Sequence, residues 1–155
     1  MDKRERKVVI ARLIPSSLLR YIFLVNGRTI EAFSIFKKGI RPEWEDPENR
    51  DGAGLTCRKG FSANEVDRHW ENMVFGVIGE MIDVNNEICG CRVIDKSKKG
   101  NPRTLFKLEI WLRSGRAEVG ERIKKNVLEI LADGEGLKAK NLPEFEFKPH
   151  NVGMK

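Results

Sequence analysis

A tryptophan beside a carboxylate, with a proline on each side, is the stretch of this chain with the clearest chemical content. Trp44 and Glu45 sit within Gly39-Ile40-Arg41-Pro42-Glu43-Trp44-Glu45-Asp46-Pro47. Pro42 and Pro47 disfavour helix and stiffen the local backbone. An indole on such a loop is a platform for a flat ring, and the carboxylate next to it accepts two hydrogen bonds at once. Side by side they suit guanine, whose Watson–Crick edge presents a ring N–H and an amino group together. The same residues also allow a plainer reading, a loop tryptophan tucked into the core beside a solvated glutamate.

Further candidates lie later in the chain. Residues 105–112 read as a strand, in which Phe106, Leu108, Ile110 and Leu112 fall on one face and Leu105, Lys107, Glu109 and Trp111 on the other. The first face belongs to the core. Lys107 and Trp111 then share an open face, where a tryptophan calls for a ligand or a covering loop. Lys96, Lys98, Lys99 and Arg103 crowd the connection from the preceding strand, residues 88–96. Cys89-x-Cys91 with His69 and His150 is a weak zinc signal, because a metal site needs clustered ligands. Cys89 and Cys91 are read instead as packing residues on one strand face. No nucleophile–base pattern, glycine-rich phosphate loop or acidic metal cluster is recognisable, which argues against an enzyme.

The elements that must position these residues are legible in part. Residues 8–14 read as a strand ended by Pro15, and Ser16 and Ser17 can cap a helix to about residue 25. Residues 29–36 are ambiguous, 49–54 are turn-rich, and 55–57 suit a short strand. The clearest element is a helix over residues 63–83. Ser62 and Glu65 form a capping box, and Val66, Trp70, Met73, Val74, Val77, Ile78 and Met81 recur on one buried face. Phe75 falls on the outer side with Glu71 and Gly79. It is either a docking patch or a lone surface aromatic. A last helix runs from Ser114 to about Ala132, with Val119, Ile123, Val127, Ile130 and Leu131 inward and Gly134 or Gly136 as its stop. A late strand covers 145–148. Strands interleaved with helices, without regular βαβ spacing, point to α+β.

Composition sets the outer bounds. One domain over residues 1–155 is expected, with 1–7 and 150–155 frayed. No apolar run is long enough to span a membrane, and no apolar core with a cleavage site follows the charged residues 1–7. Three separated cysteines fit a reducing compartment rather than a disulfide framework. The net charge of +6 and pI near 9.3 lean towards an anionic partner.

Three segments together resemble one family. Ser34-Ile35-Phe36-Lys37-Lys38-Gly39-Ile40-Arg41-Pro42-Glu43-Trp44-Glu45-Asp46 is similar to the "lFk.gI.P.WED" signature of the translation initiation factor 4E family. Val66-Asp67-Arg68-His69-Trp70 followed by Ile78-Gly79-Glu80 resembles its long helix, and Cys89-Gly90 followed by Lys107-Leu108-Glu109-Ile110-Trp111 its cap-site strand. The resemblance implies a curved antiparallel β-sheet backed by about three α-helices on its convex face. It also implies a cytoplasmic factor that binds the 7-methylguanosine cap of mRNA and recruits a scaffold protein for translation initiation. Trp44 would stack on the methylated base, Glu45 would pair with its edge, Trp111 would lie near the methyl group, and Lys107 would hold phosphate. Lys96 stands where the family usually has an arginine, and Lys98, Lys99 or Arg103 add charge nearby. Ile22, Asn72, Phe75 and Gly79 would form the surface for a scaffold initiation factor or regulator with a short helical motif.

The chain departs from the family pattern in several places. The first of the two stacking tryptophans and the first β-strand have no counterpart in residues 1–33, so the chain reads as divergent and short at its N-terminus. Phe33, Tyr21 or Phe23 are candidates for the second ring. Gly54 replaces an arginine, and the first helix lacks the family's scaffold-binding tryptophan, with Ile22 or Phe23 nearest to its place. Loss of a stacking ring, worth about 1–3 kcal/mol, supports the rival expectation of a same-fold interaction protein or translational regulator with weak or lost cap binding. A general basic RNA binder would instead ignore methylation and weaken steeply with salt.

Overall fold

The computed structural model of the protein describes residues 32–133 and 142–151. The expected strand at 8–14, the helix at 16–25 with Tyr21, Ile22 and Phe23, and the stop at Gly134 or Gly136 lie outside the described residues. Within them the order is β1 (Ala32–Phe36), α1 (Pro47–Arg50), β2 (Ala53–Lys59), α2 (Ala63–Ile78), β3 (Ile88–Asp95), β4 (Phe106–Leu112), α3 (Ala117–Leu131) and β5 (Glu146–Pro149). The five strands form one antiparallel sheet in the order β1-β3-β4-β2-β5. The architecture is α+β, as expected.

Alternation along the strands sorts side chains onto two faces. One face carries Leu55 and Cys57 of β2, Cys91 and Val93 of β3, and Leu108, Ile110 and Leu112 of β4. These pack with Trp70 and Met73 of α2 and with Ile123, Val127 and Leu131 of α3. Burying each large apolar side chain here is worth about 1.5–3 kcal/mol, so this layer holds the other face of the sheet in register.

The helix α2 starts as expected. The Glu65 backbone N–H donates to Ser62 Oγ, and the Ser62 N–H donates to the Glu65 carboxylate. Its end differs from expectation. It stops at Ile78 with Gly79 as C-cap, short of residue 83. Ile78 and Met81, expected in the buried face, are 62 % and 61 % exposed. Met81 lies beyond the early stop, and Ile78, the last helical residue, points away from the buried stripe of Val66, His69, Trp70, Met73 and Gly76. The chain then reverses, and Ile82 rather than Met81 returns to the core. Helix α3 likewise starts at Ala117 instead of Ser114, because Ser114 Oγ accepts from the backbone and side chain of Arg116 in the turn before it.

The expectation that Cys89 and Cys91 share a face is corrected by a bulge in β3. Ile88 pairs with Leu112 and Gly90 with Trp111, which leaves Cys89 as the extra residue. Cys91 remains in the core, while Cys89 Sγ lies 3.6 Å from the Glu48 carbonyl oxygen. Burial pushes the Cys89 thiol up to about 11 and the Cys91 thiol up to about 12. Neither is poised as a thiolate. His69 is buried against the Phe61 ring at 5.4 Å, and that burial lowers its pKa. No group of three or more potential metal ligands occurs among the described residues. The β2 strand is longer than the expected 55–57.

Candidate functional site

The strand register builds the second face of the sheet in rows. The first row runs Phe36, Gly90, Trp111, Gly54 and Lys148 across β1, β3, β4, β2 and β5. Trp111 therefore has a glycine on each side. A Cβ on Gly90 would lie 2.4 Å from the Phe36 ring and the Ile35 carbonyl oxygen, so only glycine lets Phe36 close on Trp111. The two rings meet edge to face at 5.4 Å. On the other side, a Cβ on Gly54 would stand 3.6 Å from His150 Nε2. The His150 imidazole occupies the room above Gly54 and meets Trp111 at 5.0 Å.

The second row is Ser34, Arg92, Glu109, Thr56 and Glu146, and the third contains Ala32, Ile94, Lys107 and Arg58. Glu109 links the rows. It accepts from Trp111 Nε1 at 2.9 Å, pairs with Lys107, and lies 3.8 Å from Arg92. Burial raises the Glu109 pKa, but the hydrogen bonds from Lys107 and Trp111 and the charges of Lys107 and Arg92 outweigh it and hold the carboxyl below its ordinary value. Glu109 is thus an ionised strut under Trp111. Arg92 lies 5.4 Å over the Trp111 ring and completes the bracing.

The sequence places Trp111 on a solvent face. The alternation holds, but Trp111 is only 3 % exposed. Phe36, Trp44, His150 and Arg92 cover it.

Trp44 reaches this row from the loop between β1 and α1. Asp46 caps α1 and also accepts from the Arg41 N–H at 2.9 Å, the main cause of its lowered pKa. Asn49 is fully buried, and its Nδ2 donates to the carbonyls of Arg41 and Glu43 at 2.7 and 2.8 Å. These two side chains close the backbone around Pro42 and Glu43 and present Trp44 and Glu45 outward. Trp44 is 62 % exposed, with its ring 6.4 Å from Trp111 and stacked on His150 at 6.1 Å and 22°. The Glu45 side chain is exposed.

His150 was expected in a frayed tail. It is instead held by its own N–H to the Gly52 carbonyl at 2.9 Å and by Nδ1 on the Asn49 carbonyl at 2.6 Å. Since a carbonyl only accepts, Nδ1 carries the proton and Nε2 faces Gly54. Asn151 adds a bond from Nδ2 to Asp51 at 2.8 Å. The sequence reading missed His150, Glu109, Arg92 and the bracing pair Asp46 and Asn49. Asp46-Pro47 does carry a signal, an N-cap followed by a first-turn proline. Nothing local marks His150.

The remaining expected residues are dispersed. Lys96 follows β3 and is exposed, with its N–H on the Leu105 carbonyl at 2.8 Å, while Lys98, Lys99 and Arg103 are exposed in the connection to β4. Phe33 is packed against the core rather than beside Trp44. On the far side, Phe75 is 42 % exposed, Gly79 is exposed and Asn72 is half-buried. Ile78 and Met81 enlarge that apolar patch beyond what the helical pattern indicated.

A family model described as eukaryotic initiation factor 4E matches residues 23–155. Eukaryotic translation initiation factor 4E-2 of Schizosaccharomyces pombe is 34 % identical over 101 residues, covering 64 % of this chain and 39 % of that protein. The chain spans between 31 % and 60 % of the length of the curated relatives compared. The structure of Ascaris suum eIF4E-3 with an m7G cap superposes with a TM-score of 0.66 at 26 % identity, covering 90 % of this chain and 73 % of that one. C. elegans eIF4E-3 in complex with the 4E-binding protein Mextli gives the same TM-score at 23 % identity, with 90 % and 75 % covered, and supports the fold.

Proposed function

From its membership of the eukaryotic initiation factor 4E family, we propose that this chain binds the 7-methylguanosine cap of mRNA on the ring-lined face of its sheet. The opposite face would offer Asn72, Phe75 and Gly79 to a scaffold initiation factor or regulator with a short helical motif. The role is binding, in translation initiation in the cytoplasm, with no bond made or broken. No helix among the described residues is long and apolar enough to cross a membrane.

One observation carries the reading: Trp44 and Trp111, far apart in sequence, lie 6.4 Å apart with Glu45 adjoining and Lys107 further along β4. Trp44 stacks on the base. Methylation at N7 makes the base cationic, which adds a cation–π term of about 2 kcal/mol when desolvated. Glu45 accepts from the ring N–H and the amino group, and its exposed carboxylate has no partner among the described residues. Trp111 faces the methyl group. Lys107 meets the phosphates, assisted by Lys96 and by Lys98, Lys99 or Arg103.

His150 supplies the second ring. Three stacked aromatic layers need about 7 Å between the outer rings, and Trp44 and His150 stand 6.1 Å apart. The centroids are closer than that span, so entry of the base requires the two rings to separate further. Trp44, exposed and on a loop, is the ring that moves. Arginine in place of Gly54 would extend into His150, so the departure at Gly54 and the use of His150 belong together.

The test is tryptophan-fluorescence titration with 7-methyl-GTP against GTP at the same salt. Strong quenching with preference for the methylated nucleotide is expected. Equal weak responses would favour the second reading, a same-fold interaction protein or regulator with weak or lost cap binding. One observation favours that reading: Phe36 and His150 already pack edge to face on Trp111.

A further inference from the structure

The third row of the site face ends on β2 with Arg58, directly across from Lys107. The Arg58 side chain is exposed and has no ion-pair or hydrogen-bond partner among the described residues. It lines a groove of about 710 Å³ between β2 and the segment that leads into β5, with Lys59, Lys107 and Lys148 as further cations. Glu144 and Glu146 also line this groove. Glu146 is paired with Lys148 at 2.7 Å, and Lys107 with Glu109. Lys59 lies over the Phe61 ring at 5.7 Å. Arg58 is therefore the cation of the groove whose side chain has neither an ion pair nor a ring contact among the described residues, and its planar fork suits a phosphate held by two hydrogen bonds.

We infer that this groove is a track for the RNA backbone immediately after the cap, with Arg58 gripping the first internucleotide phosphates. The inference rests on the cap-binding reading and extends it. Lys107 is shared by both sites, so a strand leaving the cap phosphates at Lys107 has Arg58 as its next cation. Cross-strand neighbours stand about 5 Å apart, close to the reach of one nucleotide. An acidic protein segment is the weaker candidate. The groove already contains two carboxylates, and its continuity with the proposed phosphate position favours a ligand joined to the cap.

The experiment compares m7GpppG with a capped eight-nucleotide RNA, binding each to the wild-type chain, Arg58→Ala and Arg58→Lys at two salt concentrations. The wild type is expected to bind the capped RNA at least threefold tighter than m7GpppG, with a steeper salt dependence of about 0.7 per added phosphate contact. Arg58→Ala should lose that advantage and keep m7GpppG binding, which also reports that it is folded. Arg58→Lys should keep part of it. Equal binding of the two ligands by the wild type, or equal weakening of both in Arg58→Ala, would overturn the track and leave the cap reading standing. Failure of the wild type to bind m7GpppG would overturn both. An oligoglutamate peptide that binds the wild type but not Arg58→Ala, with no gain from RNA length, would reassign the groove to an acidic partner.

Discussion

Trp111 and Phe75 are both aromatic residues proposed for binding surfaces, and the fold treats them in opposite ways. Trp111 is 3 % exposed, flanked by two glycines, bonded through Nε1 to Glu109 and enclosed by three rings and a guanidinium. Phe75 is 42 % exposed at the end of α2, beside Ile78 and Met81, which are more exposed still. The first surface is built before any ligand arrives, at the cost of keeping a charged carboxylate under it. The second keeps apolar area in water and would gain by covering it, at about 25 cal/mol per Å². Preorganisation suits a small rigid ligand, whereas an uncovered apolar patch suits a partner that brings its own surface.

Substitutions can test this contrast, beginning with the largest effect. Trp111→Ala should destabilise the protein by about 3–5 kcal/mol and abolish binding of 7-methyl-GTP, as read by denaturant titration and by nucleotide titration. An effect on binding alone would mean that the ring is not a structural post.

Glu109→Gln comes next, with a loss of about 1–3 kcal/mol because Lys107 and Arg92 lose their shared anion. It also carries a pH signature. The carboxyl is lowered in the folded state, so its stabilisation is complete above its ordinary value of 4.5 and is lost as pH falls through the lower folded value. Denaturation midpoints measured from neutral pH down through that window should fall less steeply in Glu109→Gln than in the wild type. Parallel curves would remove Glu109 as the strut.

Glu45→Ala should leave stability within about 0.5 kcal/mol, since its side chain is exposed. Guanine selectivity should drop by roughly tenfold or more, the worth of a bidentate base contact of about 1–3 kcal/mol. Unchanged selectivity would take Glu45 out of the site. His150→Ala should weaken 7-methyl-GTP binding by about tenfold, in line with one stacking ring at about 1–3 kcal/mol. Tighter binding in that variant would show the imidazole to be a competitor for Trp44.

The smallest effect on fold belongs to the helix patch. Phe75→Ser with Met81→Ser should change stability by less than about 1 kcal/mol and leave nucleotide binding intact. It should weaken capture of a 4E-binding-motif peptide, measured by calorimetry. Loss of nucleotide binding in that variant would mean that the two faces are coupled.

Much of the site was legible because its signals are local. The Pro42-Glu43-Trp44-Glu45-Asp46-Pro47 loop, the Ser62–Glu65 box, and the alternation that puts Lys107, Glu109 and Trp111 on one face need only neighbouring residues to be read. What was misread depended on distant partners. The position of Met81 depended on where α2 stopped, because the same apolar spacing fits both a longer helix and a reversal at Gly79. The bulge at Cys89 depended on pairing with β4, since an extra residue is defined only against a partner strand. For Trp111 the alternation left open a ligand or a covering loop, and four covering groups from different parts of the chain decided it.

By itself the sequence determined an α+β architecture, two of its amphipathic helices, the face on which each residue of β4 lies, and the tryptophan–carboxylate pair of the loop between β1 and α1. Those follow from periodicity, capping and backbone restriction, which act over a few residues. Only the tertiary structure decided that His150 lies over Gly54, that Glu109 is an ionised support under Trp111, and that Arg58 stands opposite Lys107 with no side-chain partner among the described residues. Those depend on strand register and on a tail pinned to Asn49 and Gly52, contacts that span up to 101 residues of chain and leave no local pattern.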